Sequence, residues 1–154
     1  MLTRLAMSSK AHWGYDEAFL QACREELTVG REDIERHTVA VLEDRSVGVV
    51  RGFYMLRSGD RAEGRGPPRR GILEFLYVDP TTIGAGHGRR LWLDMVVSAR
   101  QQGYKQILIH SDPHAEGFYR ALGAERVGDV ASGSIEGRLL PLMNFDINAD
   151  KGSA

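Results

Sequence analysis

Between an apolar stretch at residues 72–78 and a helix-forming stretch at residues 89–102 lies the turn GAGHG, residues 84–88, with glycine at three of its five positions. Backbone this free of side chains lets a strand end and a helix begin within a few residues, which puts the chain among α/β proteins. The same turn leaves first-turn N–H groups and the positive end of a helix dipole beyond the strand, where an anion can be held. It is no Walker A loop, because Arg89 and Arg90 follow where Lys and Ser or Thr are needed. It is no G-x-G-x-x-G either: counted from Gly84 or from Gly86, the last glycine is missing. By itself the turn fits a plain strand–helix connection as well as an anion site.

The rest of the chain narrows the class. Its 154 residues correspond to one domain, large enough to bury a core without a disulfide or metal staple. Residues 1–148 are expected to form that domain and residues 149–154 a flexible tail. Cys23 is the only cysteine, so neither a disulfide framework nor a thiolate metal cluster is available. Twenty basic residues against 21 acidic ones give a net charge of −1, which excludes attachment to nucleic acid or an anionic membrane by bulk charge. No apolar run approaches the ~18 residues of a membrane span. Residues 1–7 are too short and polar for a secretory signal, so a cytoplasmic setting is expected.

Patterning gives the elements. A short helix at 2–7 is broken by Ser8, Ser9 and Lys10, and Asp16 caps a second helix running to about residue 28. In that helix Phe19, Leu20, Cys23 and Leu27 recur at helical spacing and should face the core. Residues 37–42 and 47–55 read as an antiparallel hairpin, and residues 58–71 as a polar loop. Residues 72–78 read as a central strand, 106–110 as a short strand and 115–122 as a helix. Strands at 125–130 and 139–147 complete the set. The order implies one mixed, mostly antiparallel sheet flanked by helices.

Two stretches carry a resemblance. Residues 73–80 (LEFLYVDP) followed by 84–91 (GAGHGRRL) resemble the acyl-CoA-binding motif of the GNAT superfamily of N-acetyltransferases. Downstream, residues 111–124 (SDPHAEGFYRALGA) resemble that family's second motif. The resemblance implies a single-domain GNAT-like α/β fold and acetyl-CoA as co-substrate. It further implies a cofactor site made of Leu76, Tyr77, Val78, Ile83, Gly84, Ala85, Gly86, His87, Gly88, Arg89, Arg90, His114 and Phe118. The sequence departs from the family in three places. Ile83 stands where Gln or Arg is usual, and His114 where Asn commonly helps hold the pantetheine arm. The family's opening β-strand is absent, so either the start is truncated or the sheet lacks its first edge strand.

Acetyl transfer to an amine must remove a proton from a group whose pKa is near ~10, stabilise an oxyanion and release a thiolate. Glu74 is the candidate base, counted on one face with Leu76 and Val78; otherwise it faces solvent or pairs with an arginine. Tyr119 matches the family tyrosine near the CoA sulfur and is the candidate acid. Leu76 and Tyr77 lie where the family offers backbone N–H to the thioester carbonyl. Family analogy also gives Trp13, Tyr15 and residues 132–138 as walls of the acceptor pocket. The pattern His110-x-Asp112-x-His114 is not expected to hold a metal, because Pro113 interrupts it. The expected function is therefore transfer of an acetyl group to a primary amine of a small molecule or protein. The competing reading is a non-catalytic acyl-CoA-binding module of the same fold. A nucleic-acid partner is disfavoured by the net charge, and a bare sheet edge would invite a homodimer.

Overall fold

The computed structural model describes residues 1–59, 70–133 and 135–147. In chain order these form α1 (Leu2–Ala11), α2 (Glu17–Cys23), α3 (Arg31–Arg36), β1 (Thr38–Asp44), β2 (Val49–Ser58) and β3 (Arg70–Val78). They continue with α4 (His87–Gln101), β4 (Gln106–His110), α5 (Glu116–Ala121), β5 (Glu125–Ala131) and β6 (Leu139–Asp146). Single 3₁₀ turns at Pro80–Thr82 and Pro113–Ala115 precede α4 and α5.

The six strands make one sheet in the order β1-β2-β3-β4-β6-β5. Every pairing is antiparallel except β3 with β4. This is the mixed, mostly antiparallel α/β sheet that the patterning implies, and β1 forms an edge with no described strand outside it. Part of the expected loop at residues 58–71, and the expected tail, lie outside the described residues. Among those described, no helix is long and apolar enough to cross a membrane.

Two cores sandwich the sheet. On one face α4 presents Leu91, Trp92, Met95, Val96 and Ala99 to Tyr54, Leu56 and Leu73. On the other, Leu2, Ala6 and Cys23 from the N-terminal helices, with Leu27 from the turns after α2, cover Phe53, Met55 and Phe75. Strict alternation would put Leu73 and Phe75 on the same face. They lie on opposite ones, because the β2–β3 register shifts there: Met55 pairs with Phe75, but Leu56 pairs with Leu73. Glu74 is the extra residue of a β-bulge, the device that re-aims side chains in a strand.

Two helix boundaries also differ from expectation. The helix α1 passes through Ser8, Ser9 and Lys10, because Lys10 is buried in a tertiary ion pair that outweighs weak local propensity. Asp16 does cap α2, accepting from the Phe19 N–H at 2.7 Å. That helix stops at Cys23, and tighter i→i+3 turns such as Arg24 N–H to Gln21 C=O take the chain onward.

Trp92 ties α4 to the rest of its core, meeting the rings of Tyr119 and Phe145 at centroid distances of 5.7 and 5.1 Å. Trp92→Ala is expected to cost about 3–5 kcal/mol in urea unfolding, from lost burial and the cavity left behind.

Candidate functional site

The parallel ladder between β3 and β4 runs from Arg70–Gln106 to Leu73–Ile109 and stops there. Beyond that pair β3 continues to Val78 beside β2 alone, and the two strands part. A cleft of about 460 Å³ opens at this split, within the range of small-molecule sites.

Its far end is the glycine turn. Asp79 accepts from the Thr81 N–H (2.9 Å) and hydroxyl (2.8 Å), is paired with Arg51 at 2.9 Å, and so fixes where β3 ends. Gly84 (φ +92°) and Gly86 (φ +82°) then turn the chain into α4 through the left-handed region. The first rung closing α4 is Arg90 N–H to Gly86 C=O at 3.1 Å, so the N–H groups of residues 87–89 precede the ladder and are available to a ligand. A Cβ at Gly84 or Gly86 would meet nothing within 4 Å; backbone conformation, not crowding, demands glycine there. At Gly88 the reason is contact, since a Cβ would stand 3.1 Å from the Phe118 ring. The Nδ1 of His87 is buried with no hydrogen-bond partner among the described residues. Free first-turn donors and an orphaned imidazole nitrogen at a helix N-terminus fit an anionic group.

Of the residues expected at the site, the cleft gathers Glu74, Leu76, Tyr77, Val78, Ile83, Gly84 and Gly86. It also gathers His87, Gly88, Arg89, His114, Phe118 and Tyr119. Ala85 and Arg90 do not line it. Tyr119 is buried, and that burial, together with the charge of Asp112, raises its phenol well above the ordinary range, so it keeps its proton at neutral pH. Glu74 is ion-paired with Arg57 across the bulge. A second, smaller cavity of about 70 Å³ lies towards the N-terminal helices, lined in part by Cys23, Glu26, Phe75 and Arg138. Lys10, Leu73, Glu74, Tyr77, His110 and Asp112 line both spaces, so the two meet at the split.

Asp112, which the sequence analysis considered only in a metal pattern, is the hub of this junction. Its carboxylate takes the Lys10 ammonium at 2.9 Å and the Tyr15 hydroxyl at 3.0 Å. It also accepts from the His114 backbone N–H at 2.9 Å and lies 3.0 Å from the His114 Nδ1. Arg138, from the β5–β6 connection, donates to the Tyr15 oxygen at 2.8 Å. Trp13 stacks on the His114 ring, the planes within 6°. Burial would raise the Asp112 carboxyl, but Lys10 and the His114 N–H outweigh it and hold it below the usual carboxylate range. Tyr15 is pushed up to about 12 by burial and by Asp112. Among the described residues no group of three or more His, Cys, Asp or Glu could hold a metal. One sequence signal for Asp112 was its place directly after a strand of a parallel pair, where such sheets carry their sites.

The profile of the Acetyltransferase (GNAT) family matches residues 5–124. None of the curated proteins compared by sequence matches the chain. Among solved structures, PaiA N-acetyltransferase from Thermoplasma acidophilum in complex with coenzyme A is similar at 18% identity and a TM-score of 0.71. That match covers 94% of this chain and 90% of the other. An aminoglycoside 6'-N-acetyltransferase complexed with coenzyme A is similar at 15% identity and TM-score 0.65, covering 95% and 88% of the two chains. Tetrahymena GCN5 gives 18%, 0.60, 95% and 84% in the same order. At these identities the likeness to each structure is one of fold.

A depressed carboxyl stabilises the folded state above its unfolded pKa of ~3.9, and that stability is lost as pH falls through the lower folded value. Lys10→Met removes the cation that offsets burial of Asp112, so stability at pH 7 should fall by on the order of 3 kcal/mol. The loss between pH 4 and pH 2 should be blunted relative to wild type. Urea titrations at both ends of that window measure the two effects.

Proposed function

Since the chain belongs to the GNAT family of acetyltransferases, we propose that it transfers an acetyl group from acetyl-CoA to a primary amine of a small molecule or protein. The observation that carries this reading is the meeting, at the split between β3 and β4, of a cleft ending in a helix-N-terminal anion cradle with a separate polar cavity. Two reactants approaching from opposite faces of one sheet need that geometry. In this reading Gly84, Gly86, His87, Gly88 and Arg89 hold the pyrophosphate, with Ile83 and Ala85 completing the turn and Arg90 contributing charge from outside the cleft. Val78, His114 and Phe118 flank the pantetheine arm. The amine enters through the smaller cavity, walled in part by Ser132 and Arg138, the latter held by Tyr15.

An amine with a pKa near ~10 arrives as an ammonium ion. Glu74, aimed by the bulge so that it borders both spaces, takes its proton directly or through water. Of the backbone N–H groups of β3 at Leu76 and Tyr77, beyond the last β4 rung, the one pointing away from β2 stabilises charge on the thioester oxygen. Tyr119, protonated at neutral pH, donates to the departing sulfur. The exposed β1 edge favours a homodimer. The lone buried thiol, Cys23, suits a cytoplasmic setting. The pairing of Glu74 with Arg57 favours the second reading, a module that binds acyl-CoA without turnover.

A panel of amines and peptides, assayed for acetyl-CoA-dependent thiol release with mass spectrometry of the product, tests the proposal. Glu74→Gln and Tyr119→Phe should each lower kcat by on the order of 10²-fold with acetyl-CoA affinity unchanged. Saturable acetyl-CoA binding with no turnover of any amine would leave only the binding module. Gly86→Val forces a β-branched residue to a φ of +82° at the cradle. The folded variant should lose acetyl-CoA binding in calorimetry.

A further inference from the structure

We propose that Asp112 is a positioning residue. It keeps the proton of the neutral His114 imidazole on Nδ1, so that the cleft meets a bare acceptor nitrogen, Nε2, and the ligand group docking there is an N–H donor. Only the identity of the ligand rests on the acyl-CoA reading; the state of the ring does not.

The geometry fixes the proton. Asp112 Oδ1 and His114 Nδ1 are 3.0 Å apart, and the carboxylate is ionised through its 2.9 Å pairing with Lys10. Two acceptor atoms held at that distance with no hydrogen between them repel, so Nδ1 carries the proton. Among the described residues Tyr15 offers the only other donor within reach, its oxygen also 3.0 Å from Nδ1. The phenol has a single proton and lies 3.0 and 3.1 Å from the two Asp112 oxygens. An ionised carboxylate is a stronger acceptor than a neutral imidazole, so that proton goes to Asp112. The phenol oxygen is meanwhile taken by Arg138 at 2.8 Å. Each donor around the carboxylate thus has one consistent assignment, and all of them leave Nδ1–H pointing at Asp112.

The surroundings hold the rest of the ring. Trp13 lies flat on it at a centroid distance of 5.2 Å, and Tyr15 meets it edge-on at 79°. Lys10 from α1 and Arg138 from the β5–β6 connection set two cations beside the carboxylate and keep it ionised to accept from Nδ1. No protein group bonds Nε2 among the described residues, and the side chain, 43% exposed, borders the cleft. A carboxamide at this place would offer both a donor and an acceptor; the tethered imidazole offers an acceptor alone. In an acyl-CoA, the secondary amides of the pantetheine arm supply the matching N–H.

Nitrogen-15 imidazole NMR of the wild-type protein at pH 7 reads the state directly. The expected spectrum for His114 has the proton on Nδ1 and a bare Nε2; a proton on Nε2, alone or as imidazolium, would overturn the proposal. D112N keeps the size of the side chain but can donate to Nδ1, so the tautomer should reverse. The acetyl-CoA Kd from calorimetry should then rise by about tenfold, with melting curves establishing that the variant is folded. In an H114N background the same substitution should add no further loss. An unchanged Kd and unchanged tautomer in folded D112N would sink the idea, and if D112N does not fold, the wild-type spectrum decides. A wild type that fails to bind acetyl-CoA counts instead against the reading of the cleft.

Discussion

The parallel ladder of β3 and β4 ends at Leu73–Ile109, and the backbone beyond it is held on one side only. One residue later the β2–β3 register slips, and Glu74 is the residue left over. The two irregularities are neighbours, and together they convert a continuous sheet into a sheet with a mouth. The bulge sends Leu73 into the α4 core and Phe75 into the opposite one, so both flanks of the mouth are anchored by apolar side chains that resist closing it. The rigidity of the site comes from that packing, while the chemistry sits on the residues that the packing leaves uncovered.

A buried carboxylate is costly unless it is paired and fully hydrogen-bonded. Asp112 meets that condition with donors from a helix, an aromatic loop and its own 3₁₀ turn, and the connection between the last two strands adds the charge of Arg138 at 3.9 Å. Each donor thereby has a fixed place. Residues that share no secondary structure are brought to one point by a single charge, and the cleft and the smaller cavity share that point as a wall.

How much of this could be read in the sequence varies with the range of the interactions involved. The glycine turn, the helix after it and the face carrying Leu91, Trp92, Met95, Val96 and Ala99 follow from local pattern, and α4 has that face. The cap at Asp16 was equally local. Patterning misplaced the end of α1 because Lys10, polar and after two serines, reads as a stop; its burial depends on a partner 102 residues away. It missed that Leu73 and Phe75 face opposite cores because a bulge leaves no mark in an alternation that looks regular. Asp112 was noticed only as part of a metal-like spacing, since nothing nearby in the chain announces Lys10 or Arg138 as its partners.

The separations in the Asp112 cluster are long: 102 residues between Lys10 and Asp112, and 123 between Tyr15 and Arg138. Contacts of that span carry a high loop-closure entropy and tend to form late. During synthesis, α1 and the aromatic loop leave the ribosome long before the segment bearing Arg138. Until that segment arrives, Tyr15 has no guanidinium on its oxygen and the wall between the two spaces lacks one of its posts. The segments around residues 10–15 and around residue 138 therefore meet at the site itself, and that wall is complete only once both have been made.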